Sequence, residues 1–237
     1  MPNYSEIRGR VTKKIDVLIR ANQEGIDLNQ QLYAINWFST KVEWLYHFYN
    51  LLAVRSVIKI GGRAFFKAKV TETLVDDNNS RRDLILIVKY PGGQNFKSLM
   101  ESTYFKMVSV FRMLSVTKFT FGFTHEMIAD KSTSKTDELY YAIHHFKTEG
   151  EAISVLNQIT EQLSDDISVQ YSGHIVANLY SQEKGKDARQ IPNLMDAVII
   201  LKSNTEAALR TFFESTDYQS ILKTLPSNHI SFLNRTL

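Results

Sequence analysis

Apolar and polar positions change period several times along the chain, and each change marks an element. Residues 33–38 (YAINWF) and 141–146 (YAIHHF) are short runs rich in aromatic and β-branched residues, the pattern of strands. Each is followed by Thr-x-x-Glu, at Thr40 and Glu43 and again at Thr148 and Glu151, which predicts a capping box satisfying the free amides of a helix start. The helices so opened carry apolar residues at helical spacing: Val42, Leu45, Tyr49 and Leu52 in one, Ala152, Leu156, Ile159 and Leu163 in the other. Strands over 63–70 and 174–180 follow, each opened by a glycine, and then the wholly apolar runs 84–88 and 197–201. A second helix follows in each half. In the first half it is opened by the Pro91-Gly92-Gly93 turn and expected to bury Phe96, Met100, Met107, Phe111 and Leu114; in the second it is opened by a box from Ser203 to Glu206. Last strands fall at about 118–124 and 230–234, so the order βαββαβ occurs twice, the split βαβ of a ferredoxin-like unit.

The two halves also share spelling. Glu-Ser-Thr occurs after Leu99-Met100 and again after Phe212-Phe213, with Glu101 and Glu214 standing 113 positions apart. That offset lays Asp83 on Asp196, Ile87 on Ile200 and Lys89 on Lys202 without a gap. YAINWF meets YAIHHF at an offset of 108, and Gly62 meets Gly173 at 111. Drifting offsets place small insertions in loops, where they cost little. Four matches in one order identify a duplication. The expected boundaries are an N-terminal amphipathic helix and linker over 1–30, with Ile7, Val11, Ile15 and Leu18 on one side, a first repeat over 31–127, a linker over 128–138, and a degenerate second repeat over 139–237. Glu101 and Glu214 are expected mid-helix, in a solvated or helix-packing role.

The runs LILIV and AVIIL do not alternate, so both faces of those strands want burial. Helices cover one face, and the second half can supply a sheet for the other. The expected fold is α+β: two tandem ferredoxin-like repeats closing an α/β barrel inside one chain, a pseudo-dimer that leaves room for a further homodimer.

Composition narrows the function by exclusion. The 237 residues include no cysteine, which removes disulfides, thiolate zinc sites, iron–sulfur clusters and a cysteine nucleophile, and fits a cytoplasmic setting. The net charge is +3, and the densest basic spots, Lys13-Lys14 and Arg81-Arg82, have Asp16 and Asp83 beside them. No basic stripe interleaved with aromatics is present, so no nucleic acid is expected as partner. No apolar run approaches the ~20 residues that span a bilayer, and the first residues lack the apolar core of a signal peptide, so no membrane is expected either.

GGRAFFKAKVTETL, then Asp83, LIVKYPGGQNFKSLMESTYFK and Phe111-Arg112 resemble the dimeric α/β-barrel superfamily. More narrowly they resemble a bacterial branch known as a domain of unknown function. In it a Gly-Gly-Arg strand precedes an apolar strand ending in Tyr-Pro, a helix with Phe-x-x-Met and a tyrosine, and then His-Arg. The likeness covers 60 to about 125; the second half carries Ser203-Asn204 where the pattern has Tyr-Pro, Phe111 stands at the usual histidine and Arg82 at the usual tryptophan. The resemblance implies the fold. The superfamily includes cofactor-free monooxygenases, isomerases, lyases, haem enzymes and proteins without known catalysis, so it implies no single reaction.

Candidate chemistry comes from the second strand of each half. Ala64, Phe66, Ala68 and Val70 share one face and Arg63, Phe65, Lys67 and Lys69 the other; Ile175, Ala177 and Leu179 oppose His174, Val176, Asn178 and Tyr180. With the apolar faces on helices, the mixed faces point into the barrel, pairing Arg63 with His174, Lys67 with Asn178 and, on the first strands, Asn36 with His144. Arg63 would stabilise negative charge and His174 or His144 move a proton, with Asn36, Lys67, Asn178 and Tyr180 contacting a ligand. The competing reading puts Arg63 and Lys67 in water on an edge strand and makes His174 a hydrogen-bonded structural residue. His144 and His145 point to opposite faces and cannot readily share a metal ion, and no nucleotide fingerprint, phosphate loop or nucleophile elbow occurs, so neither metal nor cofactor is expected. Two functions stand: a cofactor-independent enzyme or binder for a small apolar carbonyl-bearing molecule held in the barrel, and a non-catalytic structural or protein-interaction module.

Overall fold

Every strand of the structure, a computed structural model, is hydrogen-bonded along both edges. It describes residues 29–77, 82–130, 139–183 and 196–237, with the backbone alone over 177–183. The N-terminal helix expected around Ile7, Val11, Ile15 and Leu18 lies outside these residues, as does most of the expected linker.

The first half runs β1 (Leu32–Thr40), α1 (Glu43–Lys59), β2 (Arg63–Asp76), β3 (Leu84–Tyr90), α2 (Gly93–Glu101), α3 (Thr103–Ser115) and β4 (Val116–Ala129). The second repeats the succession with β5 (Tyr140–Lys147), α4 (Ala152–Glu161), β6 (Ile167–Glu183), β7 (Ala197–Ser203), α5 (Glu206–Glu214), α6 (Thr216–Thr224) and β8 (Ser227–Arg235). The strands form one closed antiparallel barrel in the order β1-β3-β2-β8-β5-β7-β6-β4, with β4 returning to β1. Within it β4-β1-β3-β2 and β8-β5-β7-β6 have the same internal order, and they meet at two seams, β2 on β8 (Val70 opposite Leu233) and β4 on β6 (Phe123 opposite Ala177).

Period-2 side chains then sort the apolar residues into three layers. Tyr33, Ile35 and Trp37 of β1 point inward with Ile85, Ile87, Ile143, Val198 and Ile200 and fill the barrel. Leu32, Ala34 and Phe38 point outward, under α1, α2 and α3. Ala142, Phe146, Ala197, Ile199 and Leu201 do the same under α4, α5 and α6. The non-alternating runs of β3 and β7 are therefore buried on both faces, apart from half-buried Leu86. Asp83 and Asp196 hold equivalent places: each donates its backbone N–H to the carbonyl of the first strand's last aromatic (Phe38 or Phe146) and accepts from the second strand (Val70 or Ile175).

Several local expectations are corrected. Neither Thr-x-x-Glu forms a capping box. Val42 and Glu151 are the N-caps and make no side-chain cap, while the Thr148 hydroxyl accepts from Gly150 instead. On α5 the cap is Thr205, accepting from Ala208 N–H at 3.2 Å, rather than Ser203. The repeated Glu-Ser-Thr is a helix break. Glu101 and Glu214 end one helix, and Ser102 and Ser215 leave helical geometry and cap the next by accepting from Phe105 and Tyr218 N–H. The break resets the helical phase, which is why Met107 and Leu114, expected inside a single long helix, are exposed. On α1 the buried residues are Tyr46, Tyr49 and Ala53, one position round from the expected stripe except at Tyr49.

Gly173 sits on β6 at the β4–β6 seam, where a Cβ would lie 2.6 Å from the carbonyl oxygen of His125 and 2.8 Å from the Tyr171 hydroxyl. The backbone oxygen cannot yield without opening the ladder. Gly173→Ala is expected to destabilise the fold by about 1–3 kcal/mol, the usual scale for overpacking. Urea unfolding measures it; an unchanged midpoint would mean that the seam tolerates a side chain there.

Candidate functional site

Buried side chains line the barrel interior. Aromatic rings occupy it: His145 stacks on Trp37 with centroids 4.5 Å apart, His229 meets the same indole edge-on at 4.5 Å, and Tyr33 contacts Tyr171 at 5.1 Å. Open space lies one layer out. A cavity of about 480 Å³ separates the outer face of β1, β2, β3 and β4 from α1, α2 and α3. Phe38, Leu86, Val88, Phe96, Met100, Phe105, Phe119 and Phe121 supply much of its apolar wall.

Its polar groups are few and held in place. Asn36 donates Nδ2–H to the carbonyls of Ala34 and Leu86, both at 3.2 Å, and its own carbonyl oxygen accepts no hydrogen bond among the described residues. Tyr46, Tyr49 and Tyr90 line the cavity, and burial pushes all three phenols above the ordinary tyrosine value, so they stay protonated donors at neutral pH. Arg112 of α3 lays its guanidinium 4.5 Å over the Phe119 ring and its buried Nε–H meets no acceptor among the described residues. Lys67 of β2 reaches the same space, with Nζ 5.9 Å from the centre of the Tyr46 ring. Desolvation, and then the charge of Lys69, hold its ammonium below the ordinary lysine value against the opposing pull of Glu43. Two cations face an apolar cavity whose lining, among the described residues, includes no Asp or Glu side chain. Such a space favours an anion or a polarised carbonyl oxygen.

Of the residues singled out in the sequence, Asn36 and Lys67 meet here. Lys67 arrives by a β-bulge: the β2–β3 register shifts between Ala64 and Phe66, so Phe66 and Ala68 turn into the barrel and Lys67 turns out toward the helices, the reverse of the plain alternation. Arg63 and His174 are not brought together. β2 and β6 stand four places apart around eight strands, on opposite sides of the barrel. Arg63 is exposed, while His174 is half-buried at the β4–β6 seam, 5.8 Å from the ring of His125. Lys67 and Asn178 are separated by the same topology, and the side chains of Asn178 and Tyr180 lie outside the described residues.

His144 occupies in the second half the place of Asn36, but its layer is packed. Its Nδ1 accepts from the Tyr218 hydroxyl at 2.7 Å and its Nε2–H donates to Asn228 Oδ1 at 3.0 Å, with Phe146 packed beside the ring. The network fixes one neutral tautomer, and burial pushes the imidazole down to about 4. A ring held neutral, with both nitrogens bonded and turned away from the cavity, is structural. Sequence reasoning missed Tyr46, Tyr49, Asn50, Tyr90 and Arg112. The signal that could have found three of them is Tyr46, Tyr49 and Asn50 at i, i+3, i+4, which places two phenols and an amide on one face of α1.

No protein-family model and no curated protein matches the chain. Among solved structures it is similar to a candidate monooxygenase from Fusobacterium nucleatum subsp. nucleatum, with TM-score 0.55 and 10% identity over 88% of this chain and 93% of that one. It is also similar to a candidate monooxygenase from Lactobacillus acidophilus (TM-score 0.47, 11% identity, 87% and 94% covered). A mutant chlorite dismutase from Candidatus Nitrospira defluvii aligns at TM-score 0.45 and 8% identity, over 86% and 91%. The chain has the dimeric α/β-barrel fold, closed here within one polypeptide. The narrower likeness to one bacterial branch has no family match behind it. Among the described residues no helix is long and apolar enough to cross a membrane.

The buried histidines give the fold a pH dependence. The unfolded chain takes up a proton near the ordinary histidine value of 6.5, whereas His144 in the fold does so only at about 4. Stability is therefore full above about pH 7 and is lost as pH falls between those two values, by on the order of 3 kcal/mol for this group. His145, held lower by burial and by His229 and His144, adds in the same direction. Thermal melts across this range are expected to decline from about pH 6.5, above the onset for ordinary carboxylates, and His144→Gln is expected to flatten part of the slope. A flat profile down to pH 5 would contradict the assignment.

Proposed function

We propose that the chain binds a small, apolar, carbonyl-bearing molecule in the cavity between the first-half sheet and α1, α2 and α3, and acts on it without a bound cofactor. The observation that carries this reading is Arg112: a guanidinium stacked on Phe119 beside an apolar space, with a buried N–H that has no acceptor among the described residues. A ligand oxygen would satisfy that donor, and the phenols of Tyr46, Tyr49 and Tyr90 offer further fixed donors as the oxygen gains negative charge. The two halves are read as duplicated ferredoxin-like repeats of which the first kept the cavity and the second closed it around His144 and Tyr218. The candidate monooxygenase with the same fold supports a small-molecule reading and leaves the reaction open.

Titration with 2-acetylnaphthalene, followed by calorimetry, tests it. Arg112→Ala is expected to weaken binding about tenfold or more, roughly 1.4 kcal/mol, while the melting temperature stays near that of the parent chain. Equal binding by both proteins would remove Arg112 and the cavity from the account.

One observation favours the second reading, an interaction module. Trp44, Leu51 and Ile58 are 70%, 64% and 63% exposed and recur every seven residues along α1, with Leu51 also at the rim of the cavity. A second copy of this chain is the partner such a stripe suits. Sedimentation of the doubly substituted Trp44→Glu, Leu51→Glu chain checks it: a lighter species than the parent supports self-association, and identical profiles dismiss it.

A further inference from the structure

Lys67 is the amine among the cations that line the cavity. Its neighbour on the same face, Lys69, is neutralised by Glu43 at 2.6 Å, and Glu43 also lies 3.5 Å from His47 Nε2, so that carboxylate is already engaged. Lys67 Nζ makes no hydrogen bond or ion pair among the described residues; its close neighbour is the Tyr46 ring. The root of the side chain is fixed, because the Lys67 carbonyl accepts from the backbone N–H of Thr236 at 2.7 Å and of Leu237 at 3.2 Å. Along its length the side chain borders both the large cavity and a small neighbouring one of about 90 Å³, shared with Glu43, Tyr46, His47 and Lys69.

We propose that Lys67 is a nucleophilic amine that condenses reversibly with an aldehyde or ketone seated in the cavity, forming an imine. The inference rests on the binding of a carbonyl compound there and names the bond that this site makes. An apolar site that strips water from the amine is the setting in which lysine becomes nucleophilic near neutral pH. The lowered proton affinity of Lys67 agrees with it.

The step balances without an oxidant. The neutral Nζ attacks the carbonyl carbon, forming the C–N bond as the C=O pair moves to oxygen. One N–H proton passes to that oxygen, giving a carbinolamine. The hydroxyl then leaves with the second N–H proton as water, and C=N replaces C=O. Tyr46, His47 and Glu43 border the same small space as Lys67 and can relay that second proton from nitrogen to the departing oxygen. Protonation of the imine nitrogen from solvent gives an iminium, which withdraws electrons from the adjacent carbon, so the bound molecule would be activated for loss of a proton there.

Reductive trapping tests the proposal. The full chain is incubated with 2-naphthaldehyde and cyanoborohydride near neutral pH, and the adduct is located by intact mass and peptide mapping. Binding of 2-methylnaphthalene, which fits the same space but cannot condense, is measured in parallel by fluorescence. The expected result is one dominant adduct at Lys67, about tenfold over Lys69 and the other lysines, absent from Lys67→Arg and Lys67→Met and retained in Lys69→Arg. Circular-dichroism melts confirm that these variants fold, and the parent chain and Lys69→Arg should bind 2-methylnaphthalene alike. Adducts spread over the surface lysines, or unchanged in Lys67→Arg, while 2-methylnaphthalene still binds, overturn the imine alone. No binding of 2-methylnaphthalene overturns both the imine and the ligand reading beneath it.

Discussion

Closure of the barrel through its two seams, β2 on β8 and β4 on β6, is the constraint on which the rest of the structure depends. A four-stranded sheet with helices on one face has two open edges and one bare apolar face, and neither is tolerable in water. Each half supplies what the other lacks. The seams occupy the four edges, and the bare faces meet as the barrel interior. The fit is tight enough that β6 has Gly173 where the His125 carbonyl comes closest. A protein that closes this way needs no second subunit to complete its sheets.

Closure also decides where a ligand can sit. Tyr33, Trp37, Phe66, His145 and Tyr171 are buried in the interior as a core, and a large cavity lies between the first-half sheet and its helices. There the halves diverge. Phe212, Phe213, Tyr218 and Ile221 pack densely against the second sheet, with His144 tied to Tyr218 and to Asn228 by one hydrogen bond each. In the first half Asn36 replaces the larger imidazole and the layer retains a cavity of about 480 Å³. The cavity and the two cations that line it thus belong to the first half.

The charges are arranged unevenly as well. Across the outer end of β2, Lys69 is matched by Glu43 and Glu72 by Arg210, ordinary exposed pairs of modest worth. Among the described residues Lys67 and Arg112 are matched by nothing comparable, and they face apolar walls and buried phenols. Uncompensated positive charge in a poorly solvated space is costly for the fold alone, and it is the arrangement expected where a bound group supplies the compensation.

Much of the architecture was legible in the chain. The offsets linking Asp83 to Asp196 and Tyr33 to Tyr141 marked the two matching halves, and the unbroken apolar runs of β3 and β7 required a cover on both faces, because a strand's side chains alternate whatever surrounds it. Helix starts were less legible: Thr40 and Thr148 have the spelling of caps, but the chain enters α1 and α4 at an angle that leaves their hydroxyls elsewhere. The repeated Glu-Ser-Thr was visible as a repeat and not as a break, since a serine inside a helix and a serine capping the next one are spelled alike. The site itself was decided by tertiary structure. One bulge between Ala64 and Phe66 exchanged the two faces of β2, sending Lys67 to the helix side and Phe66 into the core. Ring order then put Arg63 and His174 on opposite walls. Local sequence determines which residues share a face. Which face looks inward, and what stands across from it, depends on register and closure, and those are set by pairings between strands distant in the chain, most of all β2 on β8.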